Sequence, residues 1–344
     1  MDMDKNNYKI VILSDRKVLE KHHVSYDTIL GMENEFVQSK YIDMVCLKKG
    51  LSHINKIVYK LFKFRMPDIM YGTKELQQAN IIMYIAMGIF DLERNLETLR
   101  RLSLKGKKIV IYCFDTWESQ YDRWISMFDK INPRIIFFAY KQSACYFASK
   151  YNACYWIPQS MDKVYFYNDK EEKEVTHLFM QMGRKTISIH NWIMDYLKEN
   201  KLPDVPENYV YEREKGKIIY PKTENLADNI RKTKYFVCAP QIVDNSSVTG
   251  QISDVTARFY EAMACKTLII GFKPDTFDCL FPEDAMVTLK KDGSDFFSII
   301  DFYESHPEEY NRIVNRNYEL LMERHTWSNR LKSMIEIIEK ECFK

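Results

Sequence analysis

The stretch 253–271, SDVTARFYEAMACKTLIIG, sets a single carboxylate, Glu261, among small and apolar neighbours. Phe259, Ala262, Met263 and Ala264 mark a largely buried helix, and an apolar strand follows at once. Glutamate is ordinarily a solvated helix residue. One kept in apolar surroundings needs hydrogen-bond donors, and the hydroxyls of a ribose are natural ones. Ser253 and Asp254 are expected to cap a helix running from about Val255 to Cys265. Its first turns, with Val255 and Arg258, then offer N–H groups and a cation to an anion.

Two further segments have related chemistry. In MGRKT, a strand over 177–182 ends at Gly183, which permits close backbone approach, and Arg184 and Lys185 follow. Two cations there are suited to a diphosphate, arginine through its bidentate fork. In YPKTENLADNI (220–230), Thr223 is expected to cap a helix starting near Glu224, with Asn225 in its first turn. Taken singly, each is equally a well-made turn with solvated cations or a cap.

Such groups need a scaffold, and the apolar runs supply one. Strands are expected at 8–13, 80–85, 108–114, 134–140, 153–158, 177–183, 217–221, 234–240 and 267–272. Helical patterns such as ERNLETLRRL (93–102) and ENLADNIRKT (224–233) lie between many of them. Continuous apolar strands separated by helices indicate parallel sheets covered on both faces, hence an α/β protein. At 344 residues the chain exceeds a comfortable single core, since cores stop growing at about 250–300 residues. The charged stretch 162–176 is the expected break, giving domains at 1–162 and 163–329. The amphipathic segment 330–344 then docks on existing structure.

Composition narrows the function. A net charge of +2 with 28% charged residues argues against a dedicated nucleic-acid binder. The eight cysteines include no CxxC pair and several lie in apolar runs, so they read as buried hydrophobes in a reducing compartment. The segment MDMDKNNYK is too polar for a signal peptide, and no run approaches the roughly 20 apolar residues of a membrane span. The expected location is cytoplasmic.

The second half of the chain resembles the GT-B glycosyltransferases, specifically the family-four (group 1) enzymes that use nucleotide sugars. ARFYEAMACKTLIIGF is similar to their glutamate-bearing donor helix and following strand. MQMGRKT resembles their G-R-x-x-K phosphate loop, and YFVCAP their hydrophobic strand ending in P-S. HTWSNRLKSMIEIIEK resembles the terminal W and crossover helix, and YWIPQSMD the end of the first domain. The similarity spans roughly 153–340 and is specific as a set.

The resemblance implies two Rossmann-like domains facing a central cleft, with a C-terminal helix crossing back. It implies Glu261 on the donor ribose, and Gly183, Arg184 and Lys185 at the diphosphate. Two departures stand out. Ser253 occupies the position of a first glutamate that touches the transferred sugar, with Asp254 adjacent, and Lys266 stands where the family has glycine. A nucleoside-diphosphate sugar is then the donor substrate, no cofactor is implied, and no DxD-like metal pair occupies a matching place.

The first half carries fewer signals. Asp115 and Glu118, in YCFDTWES, follow a strand end, and His22 and His23 follow the first strand's loop. Asp115, His22 and His23 are the candidate catalytic residues, although caps and surface groups have the same look. Residues 48–65, KKGLSHINKIVYKLFKFR, hold six Lys/Arg and no acid. On a helix they form a basic amphipathic face able to lie on an anionic membrane, or else a core-packing helix with solvated lysines. The implied reaction is transfer of a sugar to a hydroxyl of a glycan or lipid-linked acceptor, in bacterial surface polysaccharide synthesis. The alternatives are a nucleotide-sugar 2-epimerase of the same architecture and an inactive sugar-nucleotide-binding homologue.

Overall fold

The computed structural model describes residues 8–16, 26–39, 42–47, 58, 60–61, 74–167, 174–183, 185–203, 207–212 and 218–343. They form two compact units, one of residues 1–158 with 330–344 and the other of 159–329. The division falls between Pro158 and Gln159, ahead of the charged 162–176 stretch.

The first unit is a six-stranded parallel sheet: β1 (Ile10–Ser14), β2 (Ile42–Cys46), β3 (Ile81–Gly88), β4 (Lys108–Asp115), β5 (Ile135–Phe138) and β6 (Cys154–Trp156). Their order is β2-β1-β3-β4-β5-β6. Leu92, Leu99 and Leu102 recur at helical spacing along Ile89–Leu104. Together with Trp124 and Phe128 of the Tyr121–Ile131 helix, they share one core with Val11, Ile82, Ile109 and Ile111. Each such fully buried side chain contributes about 1.5–3 kcal/mol. Residues of the closing helix Trp327–Cys342 belong to this unit from Arg330 onward. Tyr8 donates to Glu339 Oε1 (2.8 Å), Tyr155 to Glu341 Oε1 (3.0 Å) and Arg134 Nε to the Glu341 carbonyl (2.8 Å).

The second unit has five parallel strands: β7 (His177–Gln181), β8 (Tyr209–Tyr211), β9 (Thr233–Cys238), β10 (Leu268–Gly271) and β11 (Val287–Thr288). Their order is β11-β10-β9-β7-β8. Phe179, Tyr235, Val237, Leu268 and Ile270 pack in one core with Ile189 and Ile193 of Ile187–Glu199 and with Phe296 and Ile300 of Phe296–Ser305.

The expected strand at 217–221 does not form in the described residues 218–221. Ile219 is 39% exposed and Pro221 has no N–H to give a ladder. The strand beside β7 at the sheet's edge is β8, a three-residue segment in register through Phe179↔Tyr209 and Gln181↔Tyr211.

Each sheet has one point where the strand order reverses, and ligands of open α/β sheets bind past the carboxyl ends at such points. In the first unit the chain steps from β1 outward to β2, then back to β3 on the other side. In the second it steps from β7 outward to β8, then back to β9. The crevices to inspect therefore lie past β1 and β3, and past β7 and β9.

Candidate functional site

A cavity of about 160 Å³ opens at the carboxyl ends of β7 and β9. One wall is the turn after β7: Gln181, Met182, Gly183 and Thr186. The opposite wall is the end of β9, from Val237 to Gln241. Thr256, Arg258 and Phe259, around the start of the Ala257–Ala264 helix, close it. Ligand pockets run from about 300 Å³ upward, so the cavity holds part of a nucleotide-sized ligand rather than all of it. Gly183 has φ +82°, a backbone conformation that most side chains resist, which keeps this turn open to backbone approach.

Glu261 is buried, at 6% exposure, on the Ala257–Ala264 helix. It is not itself a lining residue of the cavity. Its Oε2 is paired with Nη1 of Arg258, one turn earlier, and Arg258 does line the cavity. The donor that a buried carboxylate requires is therefore supplied in part by the helix itself. Burial, and next the Glu261 carboxylate, push the Cys238 thiol well up, while Arg258 pulls it down. Cys238 is accordingly an inert wall residue.

The expected helix start needs correction. The helix begins at Ala257 with Thr256 as N-cap, not near Val255, and Thr256 makes no side-chain capping bond. Neither Ser253 nor Asp254 is the N-cap residue. Ser253 Oγ accepts from the Asp275 N–H (3.1 Å), and the Val255 N–H donates to Thr276 Oγ1 (3.2 Å), which pins this segment outside the helix. The Ala257 N–H donates instead to Oε1 of buried Gln159 (2.9 Å). Thr223 likewise does not cap from outside. The helix is Thr223–Arg231 with Lys222 as N-cap, and the buried Thr223 Oγ1 lacks a partner among the described residues. Asn225 is exposed, and neither residue lines the cavity.

Arg184 lies outside the described residues. Lys185 stands over the Tyr211 ring, 4.9 Å from its centroid, beside the cavity rather than in its wall. Burial, and then the Lys185 charge, lower the His190 pKa, so its ring is neutral at pH 7. His190 Nδ1 lies 3.2 Å from the Tyr209 hydroxyl, which donates to Oε1 of Gln181 (3.0 Å). This chain of contacts fixes the Gln181 side chain, and Gln181 lines the cavity. Tyr209 and Tyr211 went unnoticed in the sequence because β8 did, and His190, on the Ile187–Glu199 helix, because its partner Tyr209 did.

In the first unit, Asp115 ends β4 and its Oδ1 accepts from the Tyr140 hydroxyl (2.9 Å), with Tyr140 stacked on Trp117. Glu118 is exposed in a short 3₁₀ turn. His22 and His23 lie outside the described residues, as does most of 48–65. The crevice past β1 and β3 instead holds residues that sequence reasoning missed. Oδ2 of buried Asp15 accepts from Tyr84 (2.8 Å), Asn95 (2.7 Å) and Arg94 (2.7 Å), and Arg94 also pairs with Asp91 (2.9 Å). Burial raises the Tyr26 phenol, followed by the charge of Asp91, with Asp115 and Asp15 adding to the rise. These carboxylates therefore share one neighbourhood at the carboxyl ends of the central strands. Asp15 sits directly after an apolar strand, and that was the available signal.

The profile of a family described as Glycosyl transferase-like matches residues 208–336. No curated protein sequence matches the chain. Among solved structures, HepE of Anabaena in complex with UDP-glucose aligns over 96% of this chain and 99% of its own, with TM-score 0.56 and 8% identity. A glycosyltransferase from Rickettsia africae aligns over 98% and 99%, with TM-score 0.53 and 10% identity. The N-terminal domain of a Candida albicans trehalose-6-phosphate phosphatase aligns over 98% of both chains, with TM-score 0.57 and 10% identity. At such identities the likeness concerns the fold, and that fold is GT-B: two parallel-sheet α/β units.

Proposed function

We propose that this chain, which has the GT-B fold and resembles the group 1 glycosyltransferases, moves a sugar from a nucleoside diphosphate to a hydroxyl of a glycan or lipid-linked acceptor. The observation that carries the reading is the cavity at the β7/β9 reversal point, with Gly183 and Arg258 in its wall and Glu261 paired to Arg258. The complex of the similar HepE with UDP-glucose makes a UDP-sugar the first donor to try. In this reading Gly183, Thr186 and Arg258 take the diphosphate and Glu261 the ribose, with Arg184 and Lys185 neutralising charge as the diphosphate leaves. Ser253, Asp254, Val255, Thr223 and Asn225 act as supports rather than as direct ligands.

Cations and helix N–H groups suffice to stabilise a departing diphosphate, so the reaction is expected to proceed without a metal. Asp115, His22 and His23 remain the candidates for the acceptor side, and Asp15 joins them. A role in bacterial surface polysaccharide synthesis in the cytoplasm is part of the proposal. So is reversible membrane contact through 48–65. No described helix is long and apolar enough to cross a membrane. Sedimentation with anionic and neutral vesicles tests the contact, and binding indifferent to lipid charge removes it.

The test of function is turnover of UDP-sugars with and without acceptor extract, in the presence of chelator. Transfer only with acceptor, unaffected by chelator, is expected. Epimerisation without acceptor would make the chain a 2-epimerase, and binding with no turnover an inactive homologue. Because charge develops on the leaving diphosphate, Arg184→Ala should lower kcat as well as raise KM. Wild-type kinetics in both Arg184→Ala and Lys185→Ala would make that turn ordinary surface.

A further inference from the structure

Arg258 and Glu261 stand one helical turn apart, on the same face, and are joined as an ion pair. They differ in access. The Arg258 side chain is 29% exposed and lines the cavity, whereas that of Glu261 is 8% exposed and does not. Arg258 thus borders the open space and Glu261 does not. Arg258 also acts on Glu212, half-buried at the end of β8, whose upward shift from burial it partly offsets.

We propose that Arg258 is an exchange latch on Glu261. In the empty site it occupies the carboxylate, and a diphosphate in the cavity draws it away so that Glu261 can accept the ribose hydroxyls. This rests on reading the cavity as a nucleoside-diphosphate site. The chemistry favours the exchange because a guanidinium fork fits phosphate as well as carboxylate, and a diphosphate offers it more charge than one glutamate. A buried carboxylate deprived of its cation must find donors, and vicinal hydroxyls are donors of the right kind. The ribose and diphosphate halves of the ligand are then coupled, each half strengthening the binding of the other. A nucleoside without phosphates has to break the ion pair with nothing to receive Arg258.

The latch predicts opposite signs for probes that share a site. Calorimetry on the full chain, with uridine, UDP and inorganic pyrophosphate as probes, reads them directly. Arg258→Gln should bind uridine more tightly, by about tenfold, and UDP more weakly, since one freed or lost charged hydrogen bond is of that order. Glu261→Gln, which keeps the side chain's shape, should bind pyrophosphate more tightly than wild type and uridine more weakly. If Arg258→Gln weakens uridine and UDP alike, or alters neither, the latch is overturned. The pyrophosphate arm decides independently should Arg258→Gln fail to fold, because unimproved binding in Glu261→Gln also overturns it. A wild type that binds none of the probes removes the nucleotide reading and the latch together. A wild type that binds UDP, with variants lacking the opposed signs, removes the latch alone.

Discussion

Gly271→Ala is expected to cost about 3 kcal/mol or more of folding stability, measured by chemical denaturation. Gly271 ends β10 at φ +144°, opposite Cys238 at the end of β9 in parallel register. An added Cβ would lie 1.9 Å from the Cys238 carbonyl oxygen and 3.0 Å from its carbon. That oxygen cannot easily yield, because it accepts the Phe272 N–H (3.1 Å) that continues the ladder. Overpacking alone costs about 1–3 kcal/mol, and a backbone held in a conformation reserved for glycine adds to it. Gly183→Ala is the control. There φ is +82° but nothing lies within 4 Å of the added Cβ, so only the backbone penalty of about 1 kcal/mol applies. Equal stability of Gly271→Ala and wild type would contradict the described pairing of β9 with β10. Since Cys238 lines the cavity, the substitution should also weaken nucleotide binding in any protein that remains folded.

The second large effect is expected at Glu261. Replacement by alanine should weaken UDP binding, because each charged hydrogen bond lost to the ribose costs about 1.5–3 kcal/mol, and two such losses exceed the gain of about 1.4 kcal/mol from Arg258 freed for the diphosphate. It also strips Arg258 of its partner on the helix, so stability should fall as well. Calorimetry and denaturation on the same preparation separate the two losses. Unchanged UDP affinity in a folded variant would make Glu261 a structural ion-pair partner and nothing more.

The strands that form the middle of each sheet were legible because burial on both faces leaves runs such as IVIYCF and YFVC with no polar interruption. Of the edge strands, β6 fell within the expected run 153–158, whereas β2, β8 and β11 fell within none. β2 carries Asp43, which pairs with Lys9, and β8 is three residues set between polar segments. A strand with one neighbour tolerates polar residues, so its pattern dissolves. Glu261 was legible as a buried carboxylate from its neighbours alone. The true helix start was not, because the residues that pin 253–255, Asp275 and Thr276, and the capping Gln159 are remote in sequence. The Asp15, Asp91 and Arg94 cluster needed the strand order before it could be recognised, since only the β1/β3 reversal makes that crevice special. Lys266, which stands where the resemblance leads one to expect glycine, adopts φ +53°. The position thus takes a left-handed backbone that glycine adopts most readily, although the residue is lysine.

The central claim is that the cavity past β7 and β9 receives the diphosphate and ribose of the donor. A crystal structure of the full chain with UDP tests it most directly. The account predicts the diphosphate against Gly183 and Arg258, with Arg258 turned from Glu261 and the ribose hydroxyls within about 3 Å of the Glu261 carboxylate. UDP bound elsewhere, such as in the crevice past β1 and β3, or bound in this cavity with the Arg258–Glu261 pair intact and no ribose contact to Glu261, would contradict it.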